Sequence, residues 1–97
     1  MIDRLFISKN CPDCAAVRAE LDMEAVTQDD FRGTAGQELR VYSALSNDAT
    51  RELLDKFGYD GKNGWYTPLL IPHDSSKPRQ KVQNIITWLR ENGMTEK

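Results

Sequence analysis

Cysteine occurs twice in this sequence and histidine once, and no apolar run approaches the roughly twenty residues that a membrane-spanning helix needs. A structural zinc site takes four ligands; Cys11, Cys14 and the distant His73 leave such a site incomplete unless a second chain contributes. Charge of one sign is not in excess: 13 basic against 15 acidic residues give a net charge of −2. That balance lacks the basic footprint of a nucleic-acid-binding domain and offers no attraction to anionic lipid, so neither nucleic acid nor membrane is an expected partner. No internal repeat and no low-complexity tract is present. Met1-Ile2-Asp3-Arg4 leads directly into a strand-like segment and does not read as a signal peptide. Two cysteines without an export signal point to a reducing, cytoplasmic compartment, where such pairs are more often catalytic than structural.

What remains is an ordinary globular composition. Ninety-seven residues suffice for one domain, 1–97, with one core. The apolar share is 39% and the charged share 29%, the balance of a soluble fold.

The informative stretch is Ser8-Lys9-Asn10-Cys11-Pro12-Asp13-Cys14. It follows the β-prone Leu5-Phe6-Ile7 and precedes the helix-forming Ala15-Ala16-Val17-Arg18-Ala19-Glu20-Leu21. A Cys-Pro-X-Cys at a strand-to-helix junction places one sulfur at a helix N-terminus, where unpaired N–H groups and the helix dipole favour an anion. The thiolate is the attacking species, and in such motifs its pKa falls well below the free value of about 8.5. Pro12 suits the first helical turn, where its missing N–H costs nothing. Cys11 is therefore the expected nucleophile, and Cys14, deeper in the first turn, the thiol that resolves a mixed disulfide. A static disulfide is the competing reading, but so short a loop stabilises little. Two unrelated core cysteines would explain neither the proline nor the junction.

Along the chain, Ile2 to Ile7 reads as a strand covered on both faces, since its apolar residues do not strictly alternate. A helix is expected over about Cys11 to Leu21, with Cys14, Val17 and Leu21 on its buried stripe. Asp22 to Glu38 is weakly patterned and reads as loop, pinned by Met23, Val26 and Phe31, with a helical turn at Met23–Thr27 as an alternative. Leu39 to Leu45 alternates, with Leu39, Val41, Ser43 and Leu45 on one face. Ser46 or Asn47 then caps a helix from Asp48 to Phe57 whose stripe is Ala49, Leu53, Leu54 and Phe57, with Gly58 placed to end it. Gly58 to Gly64 reads as loop. Leu69-Leu70-Ile71 forms a third strand between Pro68 and Pro72, and Arg79-Gln80 suggests a short fourth. Val82, Ile85, Ile86 and Leu89 define a last helix ended by Asn92-Gly93, with Trp88 at the core edge. Met94 to Lys97 is expected to fray. The order β-α-β-α-β-(β)-α argues for an α/β fold, a central mixed sheet flanked by helices.

With these residues in place, the chain resembles the glutaredoxin branch of the thioredoxin-fold superfamily. The resemblance rests on Lys9-Asn10-Cys11-Pro12-Asp13-Cys14 after the first strand, on Thr67-Pro68 before the third, on the helix-and-glycine segment between them, and on size. It covers nearly the whole length except Asp22–Glu38. It implies a thioredoxin-like fold in which Pro68 is cis and faces the cysteine pair. It also implies that Thr67 offers its backbone to an extended cysteinyl substrate, and that Lys9 holds a glutathione carboxylate and helps stabilise the thiolate. The other reading of Pro68 is a trans proline that merely starts a strand, and of Lys9 a solvated loop lysine. Two departures stand out. Asp13 occupies the place of the family's usual aromatic and opposes a second negative charge beside Cys11, although the helix dipole also welcomes an acid there. Ser75-Ser76-Lys77-Pro78-Arg79-Gln80 replaces the Gly-Gly-acid that grips the amine end of glutathione.

The expected function is that of a small dithiol-disulfide oxidoreductase reducing protein or glutathione mixed disulfides through Cys11-Pro12-Asp13-Cys14. Lys9, Thr67 and Pro68 bind substrate; Pro12, Asp13 and Tyr66 modulate the site. No bound cofactor or metal is expected. Glutathione or a thioredoxin-reductase-type flavoprotein serves as reductant, disulfide-containing proteins are the partners, and the chain is expected to be a monomer. Two alternatives stay open. One is a donor coupled to thioredoxin reductase that does not use glutathione. The other is a non-catalytic interaction module in which Trp65 and Tyr66 anchor a partner.

Overall fold

The computed structural model describes residues 2–43, 48–58, 67–73 and 77–96. Eight elements follow one another: β1 (Ile2–Ile7), α1 (Pro12–Glu20), β2 (Asp29–Arg32), β3 (Glu38–Ser43), α2 (Asp48–Lys56), β4 (Leu69–Ile71), α3 (Val82–Glu91) and β5 (Thr95–Glu96). The strands form one mixed sheet in the order β4-β1-β3-β2-β5. β1 and β3 are parallel, with Leu5 opposite Val41; β4 runs antiparallel to β1, with Leu5 opposite Leu70.

The unbroken apolar run in β1 follows from its place in the sheet. Successive side chains of a strand point to opposite faces. On one face, Leu5 and Ile7 join Leu39, Val41, Leu70 and Phe31 beneath Cys14, Val17 and Leu21 of the α1 segment and Ile85 and Leu89 of α3. On the other, Phe6 joins Leu69 and Ile71 beneath Leu54 of α2, with Tyr42 and Leu53 at the margin. Phe6 and Tyr42 stack across the β1–β3 pair with ring centroids 5.1 Å apart. Helices thus cover both faces, and β1 is buried from both sides, as a central strand requires.

Several expectations need correction. The segment read as loop, Asp22–Glu38, contains β2, which pairs antiparallel with β3. Only Phe31 of its four residues is buried, so too little periodicity was present to mark a strand; pairing and the burial of one ring hold it in place. Thr95–Glu96, expected to fray, instead pairs with Arg32 and Phe31 as an edge strand. The fourth strand expected near Arg79-Gln80 reduces to a single bridge, Leu70 opposite Arg79, closed by two backbone hydrogen bonds of 2.8 and 2.9 Å. Pro78 beside it has no N–H with which to lengthen the ladder. Phe57, placed on the α2 stripe by its spacing, lies beyond the helix end and is 38% exposed; the guanidinium carbon of Arg4 sits 5.6 Å from its ring centroid. Leu45 and the side chain of Ala49 lie outside the described residues. Gly58, with φ +82°, takes the left-handed turn that ends α2.

Among the described residues the one buried acid is Asp3, on the α1/α3 face of β1. Its Oδ1 accepts the His73 backbone N–H at 2.8 Å and lies 2.6 Å from His73 Nδ1, tying the end of β4 to the start of β1.

Between α1 and α3, Arg90 donates to both carboxylate oxygens of Glu20, at 2.8 and 3.1 Å. That hydrogen bond, with the Arg90 charge behind it, holds Glu20 below its ordinary carboxylate pKa. A lowered folded-state pKa stabilises the fold above the unfolded value, about 4.3, and the contribution fades as pH falls through the lowered one. Arg90→Gln is therefore expected to lower urea stability slightly at pH 7 and to match the wild type near pH 2; a difference that grew toward acid pH would contradict the assignment.

Because the β2 ring is sealed in the core and the Phe57 ring is not, alanine at the two positions separates sharply. Phe31→Ala should cost about 3–5 kcal/mol, and Phe57→Ala about 1 kcal/mol or less, read as shifts in the urea unfolding midpoint. Equal losses would place Phe31 outside the core.

Candidate redox site

Strand pairing brings the cysteine segment and the Thr67-Pro68 segment together. Phe6 is opposite Leu69 in the antiparallel β1–β4 pair. Continuing that register by one and two residues puts Ile7 beside Pro68 and Ser8 beside Thr67. The hydroxyls of Ser8 and Thr67 meet at 2.6 Å, joining residues 59 positions apart in sequence. The peptide bond between Thr67 and Pro68 is cis, as the resemblance implied, and Pro68 is buried.

The turn from β1 into α1 is made by Ser8, Lys9 and Asn10. Asn10 takes a left-handed φ of +58°, a conformation that asparagine tolerates better than most residues. Cys11 follows with extended dihedrals as the N-cap, Pro12 occupies the first turn, and the Cys14 N–H donates to Cys11 Sγ at 3.1 Å. A sulfur thus takes the place that a serine or aspartate oxygen usually fills at a helix start. Cys11 and Cys14 are joined as a disulfide, with their Cα atoms 5.1 Å apart. Cys14 is fully buried in the α1/α3 core, whereas Cys11 packs at its margin and is half-buried.

Cys11 Sγ lies 3.5 Å from the carbonyl oxygen of Thr67. In the disulfide this sulfur carries no proton, so the approach is a contact; after reduction the thiol can donate to that carbonyl. The Thr67 backbone therefore borders the more accessible of the two sulfurs.

Of the remaining candidates, Lys9 is exposed in the turn two residues before Cys11, without a side-chain partner among the described residues. Asp13 is exposed in the first turn of α1, where the helix dipole favours an acid. Tyr66 and Trp65 lie outside the described residues, as do Ser75 and Ser76. Ser8 was not singled out by sequence reasoning: a serine after a strand carries no signal until the register places it against Thr67. No family model, curated protein or solved structure matches this chain.

The burial difference between the sulfurs carries a direct consequence. In the reduced protein, iodoacetamide should modify Cys11 at least about tenfold faster than Cys14, since access and thiolate character govern thiol reactivity. Peptide mapping by mass spectrometry over a time course reads both rates, and comparable rates would contradict the assignment of Cys11 as the open sulfur.

Proposed function

We propose that this chain is a small dithiol-disulfide oxidoreductase of thioredoxin-like fold and glutaredoxin-like character. The observation that carries the reading is the meeting of a half-buried N-cap sulfur, a buried second sulfur in the same turn, and the Thr67 carbonyl 3.5 Å from the first. The α/β order, the parallel β1–β3 pair and the cis Thr67–Pro68 bond support the thioredoxin-like assignment.

In the forward reaction the Cys11 thiolate attacks one sulfur of a substrate disulfide. A Cys11–substrate disulfide forms, and the other substrate sulfur leaves as a thiolate that takes a proton from solvent. Cys14, deprotonated in turn, attacks Cys11 Sγ, forming the Cys11–Cys14 disulfide and releasing the second substrate thiolate. Two electrons pass to the substrate, and the protein ends in the oxidised form. The Cys14 N–H and the helix start favour negative charge on Cys11 between attacks. Thr67 lends its backbone to an extended cysteinyl segment in the manner of an added strand. Lys9 adds a cation before the helix, while Asp13 in the first turn of α1 works against an anionic partner.

Re-reduction needs an external dithiol or thiol source: glutathione, or a thioredoxin-reductase-type flavoprotein. Asp13 and the run Lys77-Pro78-Arg79-Gln80, in place of an aromatic and a Gly-Gly-acid, favour the flavoprotein. Disulfide-containing proteins are the substrates, and a reducing, cytoplasmic setting fits the exchange.

Reduction of a glutathione mixed disulfide, recycled side by side by glutathione with its reductase and by thioredoxin reductase, tests the reading. Cys11→Ser is expected to fall to the uncatalysed rate in both arms. Cys14→Ser should keep the first attack but accumulate the mixed disulfide, visible by mass. Equal background rates for wild type and Cys11→Ser would remove the catalytic assignment.

A further inference from the structure

An acidic chain with a net charge of −2 carries three cations within five residues, Lys77, Arg79 and Lys81. They line one groove of about 440 Å³ together with Pro78, Gln80 and Asn84. Among the described residues, no acidic side chain lines it. The groove continues along α3 as a smaller hollow of about 210 Å³ that shares Arg79 and Asn84 and ends at Glu91. At 1.5 Å of rise per residue, that acid is about 14 Å from the start of α3, too far to neutralise the basic end. Lys77, Arg79 and Lys81 have no ion-pair partner among the described residues. Nη1 of Arg79 is shielded from solvent and has no hydrogen-bond partner among them either. Leaving that N–H without an acceptor is costly, while the residue as a whole is only partly buried and lines the groove, where its charge can pair with an incoming anionic oxygen. The α3 start adds to the field: its N-cap Lys81 makes no side-chain capping bond and its first turn holds no acid, so no carboxylate of that turn offsets the positive end of the helix dipole.

The groove is tied to the redox pair through the sheet. Arg79 is bridged to Leu70, three residues after the Thr67 carbonyl that touches Cys11. Val82, at the start of α3, packs on the same core cluster as Cys11. Three residues of strand span about 10 Å, within reach of a few residues of an extended peptide whose cysteine lies at Cys11.

We infer that this groove selects protein substrates whose cysteine is flanked by an acidic segment, the carboxylates pairing with Lys77, Arg79 and Lys81. The inference rests on the oxidoreductase reading and gives it a substrate class. Carboxylates, not a nucleic-acid backbone, are the favoured anions, because the rest of the chain carries 15 acidic residues against 10 basic ones and would repel a long phosphate strand.

Single-turnover reduction by the pre-reduced protein separates the two claims. Three substrates are compared: neutral bis(2-hydroxyethyl) disulfide, a disulfide-linked peptide with four glutamates on each side of its cysteine, and the same peptide with glutamines. The glutamate peptide should react about tenfold faster than the glutamine one at low salt, as two or three exposed charge pairs worth about a factor of two to three each would give. The advantage should shrink at 0.5 M salt. The double variant Arg79→Gln, Lys81→Gln should lose it while reducing the hydroxyethyl disulfide at the wild-type rate, which also reports that it is folded. Equal rates for the two peptides in the wild type would overturn the inference and leave the redox reading standing. Failure on the hydroxyethyl disulfide would instead sink the redox reading, and calorimetric binding of the glutamate peptide with serine for cysteine would then decide the groove alone: binding lost in the double variant supports the anion site, absence of binding to the wild type overturns it. Tighter binding of single-stranded oligothymidine than of the glutamate peptide would also overturn it.

Discussion

Strand β1 lies between β3 and β4 and is sealed on both faces, and the rest of the molecule depends on that placement. Leu5, Phe6 and Ile7 are each fully buried, two facing α1 and α3 and one facing α2. A one-residue slip would send Phe6 into the layer built for Leu5 and Ile7, so the register is strongly fixed. The antiparallel pairing with β4 then determines which residues meet past the end of β1. Ser8 meets Thr67, and Cys11 comes to rest against the Thr67 carbonyl. The geometry around the sulfurs is thus a consequence of core packing several residues away.

Charge is arranged around this frame in a way the net value conceals. The Glu20–Arg90 pair joins the two helices on one face, and Arg40, its guanidinium held charged chiefly by the hydrogen bond it donates to Asp30, ties β3 to β2. These cations are spent on neighbours. Among the described residues Lys9, Lys77, Arg79 and Lys81 have no such neighbour, and they lie in the turn before the sulfurs and along the groove at the start of α3. In the proposed exchange, free cations there and an acid at Asp13 leave a partner's charge to decide how well it docks.

Legibility in the sequence followed the strength of local signals. β1 matched the expected Ile2–Ile7, and α1 fell within one residue at each end of the expected Cys11–Leu21. An apolar run, a proline in the first turn and the i, i+3, i+7 spacing of Cys14, Val17 and Leu21 all act within one element. β2 and β5 were illegible for the opposite reason. Asp29–Arg32 contains one apolar residue and Thr95–Glu96 none, and each is a strand only because a neighbour offers backbone groups at the right distance. Phe57 misled in the other direction: its spacing continued the α2 stripe, but the left-handed glycine after it turned the chain away. Thr67-Pro68 could be singled out by resemblance, whereas Ser8 could not.

By itself the sequence determined the α/β order, the buried stripes of α1 and α3, and the placing of a cysteine at a helix start, because these depend on periodicity and on chemistry within a few residues. Only the tertiary structure decided that Thr67 stands over Cys11, that Asp3 is held by His73, and that three cations share a groove with no acid among its described lining residues. Contacts between residues 56 and 70 positions apart are set by strand register and by which faces must leave water, and no local pattern encodes either.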